Sequence, residues 1–205
     1  MKIISWNLLR LVGASVDDVV ALITRERPDL LLMQEATRDI DALPARIGGH
    51  YTRTQLPDRI HGLAVWSTTA ITPRVVTLPP GTLVRRICQI VDLGAFAVAN
   101  VHLSHGQMLN RRQLRRIATS LPEQAAVLGD FNLLGPALLP GFRDVGPRRP
   151  THVMGDIVPI RIDRCLARGL ICTEARVLPR GTSDHSPIVV RMEAVAATAG
   201  LPAAA

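Results

Sequence analysis

Short apolar runs separated by turn residues dominate the chain, and their periodicity predicts many strands and a few helices. Lys2–Leu8 reads as a strand. Val16, Val19, Val20 and Ile23 recur at helical spacing, which predicts a helix over Asp17–Arg27 with Ser15 as its N-cap. Pro28 stops that helix, because proline lacks an amide hydrogen and clashes with the preceding turn. Asp29–Gln34 is a strongly apolar strand, and a short helix is predicted over Thr37–Ile47. Strands follow near 61–67, 71–77, 85–92 and 95–103. Leu114, Ile117, Ala118 and Leu121 share one face of a helix over Leu109–Leu121. Ala125–Gly129 is another buried strand, and strands near 160–167, 171–177 and 187–193 complete the pattern. Many strands with few helices predict a mixed α/β protein built on packed sheets.

There is no internal repeat or linker-like stretch within residues 1–190, so one domain over 1–193 is expected. Residues 194–205 are predicted to be a flexible tail, since from Val195 onward the chain is uncharged Ala, Thr, Gly and Pro. Hydrophobic residues make up 47% of the 205, enough to exclude a disordered chain, while aromatics at 3% leave few platforms for stacking on bases. No apolar stretch approaches the ~20 residues a membrane-spanning helix needs. The N-terminus reads as a strand, not a signal peptide, and Cys88, Cys165 and Cys172 form an odd set without paired spacing. A cytoplasmic protein with buried free thiols is the expectation.

The net charge is +7, and Lys2 is the single lysine. Residues 1–80 carry 9 basic and 8 acidic groups, a net of +1; residues 81–205 carry 15 and 9, a net of +6. A basic C-terminal half fits a polyanionic partner, because arginine forks match phosphate oxygens. Biased base composition would also give an arginine-rich, lysine-poor chain.

Candidate chemistry collects where strands end. Ser5-Trp6-Asn7, Gln34-Glu35, Asn100-Val101-His102-Leu103, Gly129-Asp130-Phe131-Asn132 and Ser183-Asp184-His185-Ser186-Pro187 each set a carboxylate, amide or imidazole beside an apolar run. Any one of these could be a cap or turn residue. Together they form a working set. Glu35, Asp130, Asp184, Asn7 and Asn132 offer hard oxygen ligands that suit Mg²⁺ or Mn²⁺. Such an ion stabilises charge at a phosphoryl group, and without it clustered carboxylates would repel a phosphodiester. His185 and His102 can exchange protons near neutral pH.

In this order, Ser-Trp-Asn, Gln-Glu, Asn-Val-His-Leu, Gly-Asp-Phe-Asn, Arg-Ile-Asp-Arg (161–164) and Ser-Asp-His resemble the endonuclease/exonuclease/phosphatase superfamily over residues 2 to about 191. That group includes DNase I, exonuclease III-type nucleases, sphingomyelinases and inositol polyphosphate phosphatases. The resemblance implies a four-layer α/β/β/α sandwich of two packed mixed sheets flanked by helices. It also implies metal-dependent hydrolysis of a phosphate ester. By this resemblance Glu35 is the principal metal ligand, Asn7 an amide supporting the metal, and Asp184 a metal-associated carboxylate. His185 contacts the scissile phosphate or activates water, and Asp163 orients it. Asp130 and Asn132 position water and phosphate, with both Asp130 and His185 open as the general base. His102 matches a second phosphate-side histidine, although no acidic partner for it is evident, and Thr151 matches a threonine near the site. The chain departs from the pattern after Ser67, where Thr68 and Thr69 replace an expected arginine, and its loop between Asn132 and Phe142 is short.

Other residues read less sharply. Arg148 and Arg149, just before Thr151, are the favoured substrate contacts. Arg111, Arg112, Arg115 and Arg116 are expected on a solvated helix face, Arg161 and Arg164 bracket Asp163 and read either as substrate contacts or as partners of carboxylates, and Trp6 and Trp66 are expected in the core. His61 reads as an exposed strand-start residue in preference to one near the cleft before Gly62. The favoured function is a nuclease acting on DNA. A phosphatase or phosphodiesterase for lipid headgroups or small phosphorylated metabolites uses the same residues, and a binding module without catalysis ranks last.

Overall fold

The computed structural model describes residues 1–81, 84–155 and 157–195. One six-stranded sheet is built from β1 (Lys2–Asn7), β2 (Leu30–Ala36), β3 (His50–Gln55), β4 (Gly62–Ser67), β13 (Leu170–Val177) and β14 (Ile188–Ala194). Its spatial order is β13-β14-β1-β2-β4-β3. The other six-stranded sheet holds β5 (Arg74–Thr77), β6 (Ile87–Asp92), β7 (Ala97–His102), β8 (Ala125–Asp130), β9 (Arg143–Asp144) and β12 (Asp163–Arg168), ordered β5-β6-β7-β8-β12-β9. A separate hairpin pairs β10 (His152–Met154) with β11 (Val158–Ile160).

Side-chain parity stacks these layers. Along β1, Ile4 and Trp6 pack with α1 (Val16–Glu26) and Leu43 of α2 (Leu43–Ile47), whereas Ile3 packs with Leu128 and Cys165 of the other sheet. Along β8, Ala126 and Leu128 face between the sheets, and Ala125 and Val127 pack with Leu114 and Ile117 of α3 (Gln107–Ala118). The result is the expected order of helix, sheet, sheet, helix. Ser15 caps α1 as predicted: its side chain accepts from Asp18 N, and the Asp18 carboxylate accepts in return from Ser15 N.

Between the sheets the filling changes from apolar to polar along the strands. Gln34 Nε2 donates to Ser5 Oγ (3.1 Å) and to Asn100 Oδ1 (2.7 Å). Asn100 Nδ2 donates across the sheets to Ala64 O (3.1 Å) and, within its own sheet, to Gln89 Oε1 (3.1 Å). This buried amide chain fixes the two sheets in register beneath the polar end. Asn100→Ala should cost about 1–3 kcal/mol, the penalty for stranding buried polar groups, read as a lower urea midpoint. An unchanged midpoint would remove the amide from that role.

Several expectations shift. Thr37–Ile47 is a 3₁₀ turn (Arg38–Ala42) followed by α2. The strand expected over 160–167 is two, because Arg161 turns out to pair with Asp144 and β12 starts at Asp163. β3 was not anticipated; it is an edge strand with no apolar alternation. Cys88 and Cys165 are buried free thiols, whereas Cys172 is half-buried. No helix among the described residues is long and apolar enough to cross a membrane. β14 runs to Ala194, and the tail expected over 194–205 otherwise falls on residues 196–205, outside the described ones.

Candidate active site

Strand direction gathers the chemistry at one end of the sandwich. β1 and β2 run parallel, so Asn7 and Glu35 end together; β14 and β4 run antiparallel to them, so the residues preceding them, His185 and His61, arrive at the same end. The first sheet therefore presents a row of His185, Asn7, Glu35 and His61. In the second sheet, His102 lies opposite Asp130 in the parallel β7–β8 pair, and Asp163 lies opposite Asp130 in the antiparallel β12–β8 pair. Arg86 immediately precedes β6, so the second row reads Asp163, Asp130, His102, Arg86.

The two rows meet. His185 Nδ1 lies 2.8 Å from Asp163 Oδ2, and Asn7 Nδ2 donates to Asp130 Oδ2 at 3.0 Å. Asp130 Oδ1 accepts from Asn132 N at 2.8 Å. Asp130 Oδ2 also lies 3.4 Å from His102 Nε2 and 3.8 Å from His185 Nε2. Local backbone makes this possible. Gly129 has φ +143°, and a Cβ there would sit 2.0 Å from Val101 O, so only glycine lets β8 approach β7 and deliver Asp130. Asn132 follows at φ +48°, and a register irregularity in β2 leaves Glu35 at φ +56°, re-aiming a side chain that regular pleating would place elsewhere.

The environments push the two central groups apart. Burial, reinforced by the Asp163 charge, raises the Asp130 carboxyl to about 6. Burial also disfavours a proton on His185, but the charge and hydrogen bond of Asp163, with Asp130 and Asp184, outweigh it and raise the imidazole to about 10. His102 is driven well below its ordinary value by burial and then by the Arg86 charge, so it is neutral.

Asn7, Asp130, Asn132, His102, Asp163, Asp184 and His185 thus share one network, with Asp184 Oδ1 3.9 Å from His185 Nε2. Glu35 sits in the adjoining row position, its Oε2 3.0 Å from Arg10 NH1. Asp130 supplies the acidic partner that His102 appeared to lack, since the β7–β8 register joins residues far apart in sequence. Thr151 is wholly buried, and its Oγ1 accepts from the backbone N–H groups of Ile162 and Asp163; it braces Asp163 and has no surface to offer a substrate. Arg148 and Arg149 are exposed outside this network, with Arg148 donating to Asp144 O. Arg161 and Arg164 are committed to Asp144, and Arg164 also holds Leu133 O.

His61 is buried rather than exposed, and among the described residues its Nδ1 has no hydrogen-bond partner. His152 was not foreseen: its ring lies 4.3 Å from that of His185, and its Nδ1 lies 3.7 Å from Asp184 Oδ2. It follows Thr151 in a segment without strand periodicity, so nothing marked it. Arg86 falls inside the strand expected over 85–92, whereas β6 starts at Ile87, so its place at a strand end was not marked.

Two donor sets could hold a cation. Among the described residues Asp184 Oδ1 is buried with no hydrogen-bond partner, an oxygen that a cation would satisfy, and Glu35 and Asn7 offer further hard oxygens. The ligand atoms of His152, Asp184 and His185 lie within 4.8 Å of one another. An imidazole that holds its proton up to about 10 makes a poor ligand, which favours the oxygen set.

A family model described as Endonuclease/Exonuclease/phosphatase family matches residues 4–185. No curated protein matches the chain in sequence. Among solved structures, TDP2 of D. rerio complexed with single strand DNA product superposes with a TM-score of 0.77 at 17% identity, covering 94% of this chain and 98% of that one. An endonuclease/exonuclease/phosphatase from Bacteroides vulgatus gives 0.77 at 16%, covering 95% and 98%. A functionally unknown conserved protein from Enterococcus faecalis gives 0.75 at 20%, covering 95% and 100%. At these identities the likeness is one of fold.

Proposed function

The chain belongs to the Endonuclease/Exonuclease/phosphatase family, and from that premise we propose that it is a divalent-metal-dependent nuclease hydrolysing DNA phosphodiester bonds. The observation that carries the reading is the pair of opposed groups: Asp130, held near 6, faces His185, held near 10, 3.8 Å away. At neutral pH the first is a carboxylate able to take a proton from water. The second is an imidazolium able to donate to a phosphoryl oxygen. Asp163 holds that ring and its charge, Asn7 Nδ2 and Asn132 N–H hold the carboxylate, and Thr151 holds the backbone of Asp163. Glu35, Asn7 and Asp184 are assigned to Mg²⁺ or Mn²⁺, which would supply Lewis-acid stabilisation of phosphoryl charge.

The choice of DNA is supported by the +7 charge, by exposed Arg148 and Arg149 on the loop leading to Thr151, and by the D. rerio neighbour's single strand DNA product. The test is a parallel assay of plasmid and single-stranded DNA, RNA, sphingomyelin and inositol phosphates. Cleavage of DNA that stops in chelator and returns with Mg²⁺ or Mn²⁺ is expected. Activity persisting in chelator rejects the metal, and turnover confined to a lipid or inositol phosphate rejects the nuclease.

A further inference from the structure

Arg86 is 7% exposed, yet among the described residues its guanidinium makes no hydrogen bond or ion pair, and its Nε is a buried atom without a partner. The other buried arginine among the described residues, Arg164, also leaves its Nε unpartnered, but its NH1 and NH2 reach Asp144, Leu133 O and Gly135 O, whereas no terminal nitrogen of Arg86 is so engaged. Leaving a largely buried guanidinium unpaired is costly, so an anion is its natural complement. Among the described residues two more buried nitrogens without a partner lie on the same rim, His61 Nδ1 and His102 Nδ1. Leu63 of β4 and Ile87 of β6 pack together across the sheets, which brings His61 and Arg86, just before those strands, to the same rim. The Arg86 charge is felt at Asp130, Glu35, His61 and His102, although among the described residues no carboxylate oxygen comes within ion-pair distance of it.

The rows set the position. His61 and Arg86 close the end farthest from His185 and Asp163, and β6 lies two strands from β8, a backbone separation of about 10 Å. That is too far to duplicate the contacts made at Asp130 and suits a neighbouring group of a polymeric substrate. Resting on the phosphoesterase reading above, we infer that Arg86 and His61 form an anion subsite for a second phosphate, next to the one that is cut.

The test compares wild type with Arg86→Met, using Arg116→Met, on the exposed face of α3, as a control for charge alone. For an oligonucleotide, Arg86→Met should raise KM about tenfold or more, the loss expected for hydrogen bonds to a charged group. For bis(p-nitrophenyl) phosphate, whose single phosphate leaves the subsite empty, KM should stay within about twofold of wild type, while kcat on both substrates carries whatever the lost Arg86 charge does at Asp130. In chelator, inorganic phosphate should raise the Tm of wild type but not of Arg86→Met, and ligand-free Arg86→Met should melt a few degrees above wild type because an unpaired buried charge is gone. Equal rises in KM on both substrates, or a lower Tm with an undiminished phosphate response, overturn the subsite. If wild type cleaves neither substrate, the nuclease reading falls while the phosphate-dependent Tm still decides the subsite. If DNA is cleaved and Arg86→Met matches wild type throughout, the subsite falls alone.

Discussion

Asp163→Asn should reduce turnover by about 10³–10⁴-fold with the fold intact, the scale seen when the carboxylate of a catalytic Asp–His pair is neutralised. Asp163 Oδ2 sits 2.8 Å from His185 Nδ1, and both side chains are buried. An amide in that place has one accepting oxygen, no charge, and an NH₂ group that can force the other tautomer. The electrostatic consequence has a definite sign. Burial alone would lower the His185 value, and the Asp163 charge is the chief influence that raises it to about 10. A proton held more tightly in the folded than in the unfolded chain stabilises the fold fully below about 6.5, and that stability is lost as pH rises toward 10. In Asp163→Asn this alkaline loss should shrink together with activity. Urea denaturation across that interval and single-turnover cleavage read the two effects independently. A variant that keeps the wild-type pH slope, or cleaves at a near-normal rate, would show that Asp163 does not govern His185.

How much of this was legible in the sequence depends on where each signal resides. Asp29–Gln34 and Ala125–Gly129 announce themselves because both faces of those strands are buried, so the apolar run is nearly continuous. His50–Gln55 and the β10–β11 hairpin bury too little to leave a pattern, and His152 went unnoticed with them. The site was readable wherever a polar residue closes a buried strand, as at Asn7, Glu35, His102 and Asp130. The same rule applies to His61 and Arg86 at strand starts, where a charged or aromatic ring residue reads equally well as solvated surface. What the linear order cannot carry is sheet register. Only the β7–β8 pairing sets Asp130 beside His102, and only the β8–β12 pairing sets it beside Asp163. Thr151 shows the limit from the other side: its nearness to the site was legible, but its burial, and hence its bracing role, follows from packing.

Asp130→Asn should remove about 10²–10⁴-fold of the rate, the range supplied by a positioned proton acceptor, and should make the metal-free protein more stable at pH 7. The two effects share one cause. Burial, above all, raises the carboxyl from 3.8 to about 6, so at neutral pH the fold maintains a charge that its surroundings disfavour. A raised carboxyl contributes stability that is fully present below 3.8 and is lost as pH rises through about 6. Asn supplies the neutral form permanently, so the variant's advantage should be largest above pH 6 and should vanish toward pH 3.8. Asn7 works in the opposite direction, because its Nδ2 donates to the charged carboxylate and lowers its value. Removing that donor with Asn7→Ala should therefore move the midpoint of the stability profile to higher pH, and Asp130→Asn should abolish the midpoint. Thermal melts of the three proteins in chelator from pH 3.5 to 8 measure this directly. A destabilised Asp130→Asn at pH 7 would mean that the carboxylate is held for structure, and the division of labour between Asp130 and His185 would have to be abandoned.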